Sequence, residues 1–183
     1  MKGYSLMISK IRIASFGVAM IVASLATTGS AEAIKLTKPY SAYEFALLHQ
    51  GLDERKDNAE IRQMFRSVMN SSVNPAETAW CAIWVDVMNV KAGQPAMKTL
   101  WARDFLKYGI PTNSPERGDV VVVKRGKING HVGYFHEMVT DIHGKRWVAI
   151  LGGNNPTKTS GGISGIAYHP IEDVLGYRKH PKT

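Results

Sequence analysis

The chain has 183 residues, with 23 Lys plus Arg against 15 Asp plus Glu, 44% hydrophobic residues and a single cysteine. This balance predicts one folded domain and excludes a disordered chain. One cysteine rules out an internal disulfide scaffold and any multi-cysteine zinc or iron–sulfur site, and the 17 Gly and 8 Pro follow no collagen-like or solenoid period.

Residues 1–33 read as a secretory signal peptide. Lys2, Lys10 and Arg12 form a positive leader, residues 13–26 are an apolar run, and Ala31-Glu32-Ala33 offers small residues around a cleavage point before Ile34. A spanning helix needs about 20 apolar residues, so no stable membrane insertion is expected after cleavage. The expected destination is the cell envelope, secreted or periplasmic, and residues 34–183 are expected to form a single domain. Lys2, Lys10, Arg12 and Glu32 leave with the leader, so that domain keeps a formal +6 of the chain's +8. A modest positive field suits anionic wall polymers. The Lys and Arg residues are scattered rather than clustered, which argues against a nucleic-acid partner.

Along residues 40–69, Tyr43, Ala46, Leu47, Ile61, Met64, Phe65 and Val68 recur at helical spacing, which predicts two helices joined by the charged stretch 51–58. After the break at Asn74-Pro75, residues 80–90 predict a helix with Cys81, Trp84, Val85 and Met88 on its buried face, closed by Gly93. A fourth helix is expected over residues 97–108, before Gly109-Ile110-Pro111. The period then changes. Residues 119–124, 131–139 and 146–151 predict strands, the last two joined as a hairpin through Asp141-Ile142-His143-Gly144, and residues 174–178 a final strand. Helices first and strands later argue for an α+β domain with N-terminal helices packed on a C-terminal antiparallel sheet.

A solitary thiol in an exported chain is either a buried small hydrophobe or a reactive group. Cys81 follows the helix-start signal at Asn74-Pro75, where free backbone amides and the helix dipole favour a thiolate. His131 lies in Gly130-His131-Val132-Gly133, at the head of a predicted strand with room on both sides, and could take the proton of a cysteine nucleophile. Asn154, in Leu151-Gly152-Gly153-Asn154-Asn155-Pro156, could orient that imidazole, although the same composition makes a good turn. The other histidines read as half-buried and satisfied. No metal or cofactor is called for.

In order along the chain, Trp80-Cys81-Ala82, Gly118-Asp119-Val120-Val121-Val122, Gly130-His131-Val132-Gly133-Tyr134, Leu151-Gly152-Gly153-Asn154-Asn155 and Val174-Leu175-Gly176-Tyr177-Arg178 resemble the bacterial and phage CHAP/NlpC-type cysteine peptidases and amidases. The resemblance spans most of residues 40–180. It implies a papain-like fold with Cys81 as nucleophile, His131 as base and Asn154 as orienting residue, acting on peptide or amide bonds of peptidoglycan. It also implies a resting thiolate–imidazolium pair. Ile83-Trp84-Val85-Asp86 is bulkier than the run expected after the cysteine. The alternative is a non-catalytic wall-binding or inhibitor domain on the same fold.

Overall fold

The computed structural model describes residues 40–69, 73–157 and 161–182. The chain separates into a unit Met1–Lys35 and a unit Leu36–Thr183, and every described residue belongs to the second. The leader therefore lies outside the described residues.

Two short helices open the described chain, α1 (Ala42–Leu48) and α2 (Asn58–Arg66). Helix α1 starts on a capping box: Ser41 Oγ accepts the Glu44 N–H at 3.2 Å, and the Glu44 carboxylate takes the Ser41 N–H at 2.6 Å. Helix α2 turns Ile61 and Phe65 inward and leaves Glu60 and Arg66 outside. The central helix α3 (Cys81–Lys91) is buried on every side from Cys81 to Asn89. The expectation of a single buried face was thus too narrow, because α1, α2 and the sheet all pack against α3.

The sheet has six antiparallel strands in the order β1-β6-β2-β3-β4-β5. They are β1 (Ile110–Thr112), β2 (Val120–Arg125), β3 (Asn129–Thr140), β4 (Arg146–Pro156), β5 (Gly162–Pro170) and β6 (Val174–Lys179). An α+β domain with its helices laid on an antiparallel sheet is therefore what the chain forms. Alternation along the strands builds two cores. Val120, Val122, Val132, Tyr134 and Leu151 join α3 in the larger one, and Val121, Val123, Phe135, Val148 and Ile150 make the smaller one. Tyr134 ties sheet to helix, its hydroxyl lying 3.0 Å from the Val85 carbonyl and 2.8 Å from Asn89 Oδ1.

Three elements differ from the expectation. The helix expected over residues 97–108 is an extended loop followed by a 3-10 helix, Ala102–Lys107. The reason lies outside the segment: the buried Asp86 carboxylate accepts the N–H groups of Met97 and Lys98, both at 2.7 Å, and Lys98 takes a φ of 53°. Strands β1 and β5 were not expected. In β1, Pro111 is tolerated because this is an edge strand. Strand β5 mixes Gly, Ser and His with its apolar residues, which hides its alternation.

Candidate active site

Cys81 is the first residue of α3, so its sulfur meets the free backbone amides of a helix start. The preceding Trp80 is locked into the core, its indole N–H donating to Glu54 Oε2 at 3.1 Å. Gly153 lets β4 approach the helix, since a Cβ there would sit 2.4 Å from Trp80 Cζ3 and 2.8 Å from Trp84 Cγ. Trp80 thus packs under β4 while Cys81 faces the cleft. Although only 3% exposed, Cys81 forms part of the wall of a cleft of about 310 Å³, with Trp101, Asn129 and Gly130 also lining it. A second cleft of about 250 Å³, lined by Glu54, Glu77 and Asn154, shares Thr78 and Ala79 with the first.

His131, near the start of β3, is fully buried. It is paired with Val123, and the next residue, Val132, packs under α3. Its ring stacks on His169 of β5 with centroids 5.3 Å apart, and Gly152 leaves space beside Nε2. No hydrogen bond joins the ring to Cys81: both ring nitrogens are buried without a partner. The sulfur instead faces the backbone N–H of Val132. Cys81 and His131 are therefore near in the fold but not brought together: the alternation that packs Val132 against α3 turns His131 to the other face of the sheet, with Val123 and Gly152, and the β3 backbone lies between sulfur and ring.

The charge state follows from burial. Desolvation pushes the Cys81 thiol up, against the Val132 N–H, the Arg125 guanidinium and the amides of Ala82 and Cys81, which all favour thiolate. Desolvation also drives the His131 imidazole well below its ordinary value, helped by Arg125 and His169 and opposed by Asn155. The resting pair is thiol and neutral imidazole, which corrects the expected thiolate–imidazolium pair.

The carboxamide beside His131 is that of Asn155, not Asn154. Asn154 takes a left-handed φ of 60° at an irregularity between Gly152 and Asn155, and this turns the next side chain inward. Asn155 is buried and donates through Nδ2 to the Gly152 carbonyl at 3.0 Å and the Gly165 carbonyl at 2.8 Å. Its Oδ1 favours the charged form of His131 but makes no well-formed hydrogen bond, so the contact is electrostatic. Asn154 offers its backbone carbonyl to Arg125 Nη1 at 3.5 Å. His169, read from sequence as an ordinary half-buried histidine, is held to about 4 by burial and by Arg125. Nothing in its local sequence marked it, since its position depends on the far end of β5 being brought against His131 of β3. Among the described residues no group of three His, Cys, Asp or Glu side chains is placed to hold a metal ion.

The chain matches no protein-family model, and no curated protein is similar to it.

Proposed function

We propose that this chain is an exported cysteine hydrolase with a papain-like arrangement, cleaving an amide or peptide bond of bacterial peptidoglycan through Cys81 and His131. The observation that carries this reading is the position of Cys81: the lone thiol heads the central helix, lines a cleft, and lies beside the strand residue next to His131. Substrate would lie along the two clefts on either side of Thr78 and Ala79. For His131 to take the thiol proton as Sγ attacks the carbonyl carbon, and to return it to the leaving amine, its ring has to swing from the far face of β3 to the cleft. The thioester is then hydrolysed, with His131 deprotonating the water. The Cys81 N–H, at the helix start, faces the developing oxyanion. Asn155 replaces Asn154 as the group that orients the imidazolium.

A neutral, unbonded Cys81 and His131 favour one second reading, a wall-binding domain on the same fold without turnover. Digesting purified peptidoglycan with the protein and identifying new amine ends by mass spectrometry separates the two. The hydrolase produces new ends, and Cys81→Ala produces none. A wall-binding domain sediments with the wall and leaves it intact.

A further inference from the structure

The chain has four tryptophans, and the fold accounts for three of them. Trp80 and Trp84 are fully buried in the larger core, and Trp147 donates its indole N–H to Asp141 Oδ2 at 2.9 Å while the Lys145 ammonium lies 4.5 Å from its ring centre. Trp101 is different: it is 60% exposed and lines the Cys81 cleft. Among the described residues no ring stacks on its indole and no cation covers it. Its backbone is nevertheless fixed. The Trp101 N–H donates to Thr99 Oγ1 at 3.0 Å, that hydroxyl donates to Asp104 Oδ2 at 2.6 Å, and the Asp104 N–H returns to the Trp101 carbonyl at 3.1 Å. The 3-10 helix that follows is pinned in turn, because Arg103 donates to the carbonyls of Asn129 and Lys127 at 3.0 and 3.1 Å. Gly130 admits it, since a Cβ there would lie 3.0 Å from Arg103 Cγ.

A large aromatic face kept in water at the wall of a cleft marks a ligand surface. The rest of the lining narrows the ligand. No charged side chain lines this cleft, whereas Glu54 and Glu77 line the second. In peptidoglycan the ionised groups belong to the peptide, while the sugars are uncharged and the muramic carboxyl is tied up in its amide. A pyranose also has the matching surface, an apolar face of C–H groups edged by hydroxyl and acetamido groups, and Thr78 and Asn129 line the same cleft to meet that polar edge. A volume of about 310 Å³ suits one such ring with its substituents. We infer that Trp101 is the platform on which an N-acetylated sugar ring of the substrate stacks. Trp101 is then a specificity residue within the hydrolase reading, on which this rests and which it deepens: the glycan side of the bond lies in the Cys81 cleft and the peptide side in the second.

Two substrates carrying the same scissile amide provide the test: the disaccharide pentapeptide released from the wall by a muramidase, and the same pentapeptide with an acetyl group in place of the sugars. Binding is read on the Cys81→Ala protein by tryptophan emission. The disaccharide substrate should shift it and the acetyl pentapeptide should not, and the shift should vanish when Trp101→Phe is added, because Trp80 and Trp84 are buried. In turnover, the preference for the disaccharide substrate, as a ratio of kcat/KM values, should fall about tenfold in Trp101→Ala, through KM rather than kcat, and less than about threefold in Trp101→Phe, which keeps a ring. An equal emission shift with the acetyl pentapeptide overturns the sugar platform and puts a peptide side chain on Trp101. An unchanged ratio in folded Trp101→Ala overturns it too and leaves the hydrolase reading intact. If Trp101→Ala does not fold, the emission comparison decides alone. A sugar-dependent shift with neither substrate cleaved would sink the hydrolase reading and leave the platform standing on a wall-binding domain.

Discussion

At the scale of single residues, the site depends on a buried thiol and a buried imidazole that are both neutral at rest. Since the thiol is pushed up rather than down, Cys81 should alkylate more slowly than a free thiol at pH 6, and gain rate only as pH rises past the ordinary thiol range near 8.5. Fast alkylation at pH 6 would contradict this. The roles proposed for these residues predict a graded series in wall hydrolysis, measured on variants shown by circular dichroism to be folded. Cys81→Ala abolishes turnover and His131→Ala is nearly as severe. Asn155→Ala loses about 10-fold to 1,000-fold, or about 1.4 to 4 kcal/mol of transition-state stabilisation, because it only orients the ring. Asn154→Gly, which keeps the left-handed backbone without the carboxamide, should retain most of the rate. The reverse ranking of the two asparagines would restore Asn154 as the orienting residue.

Among the elements, the sequence showed those whose own residues carry the signal, as apolar runs or helical spacing. Val120 to Val123 and the run from Val132 to Phe135 announce strands because each is set by its own neighbours, and α1 and α2 by their helical spacing. What stayed hidden depended on distant partners. The loop before Trp101 is extended because Asp86 captures its amides, and the identity of the inward asparagine turns on a one-residue irregularity in β4. These features predict two costs. Asp86→Ala leaves the Met97 and Lys98 N–H groups unpaired and should destabilise the domain by about 1–3 kcal/mol in urea unfolding, while disturbing the Leu100 and Trp101 wall of the cleft. Gly153→Ala drives a methyl into two buried indoles and should cost about 1–3 kcal/mol by overpacking. A melting point equal to the parent's in either variant would contradict the assigned packing.

At the scale of the whole molecule, buried titratable groups set how the fold responds to acid. His131, His169 and His180 all have folded values below their unfolded ones, chiefly through burial. For a histidine shifted down, the contribution to stability is complete above about pH 6.5 and is lost as pH falls below it, because the unfolded chain then takes up protons that the folded one refuses. Asp86, raised to about 6, and Asp119, also raised, act in the opposite sense, favouring the fold as pH falls. In melting experiments from pH 7 to 4, His169→Gln should therefore flatten the acid limb and Asp86→Asn should steepen it. Parallel curves for parent and variants would show that neither group is buried as described. The same burial frames the central claim, that the lone thiol at the head of α3 is a nucleophile toward cell-wall amides. Acid quenching of the protein during digestion of peptidoglycan, followed by mass analysis of the Cys81 peptide, tests it most directly. A muropeptide acyl group attached to Cys81 and absent from Cys81→Ser is the expected result, while release of new amine ends by Cys81→Ala at the parent's rate would contradict a nucleophilic Cys81.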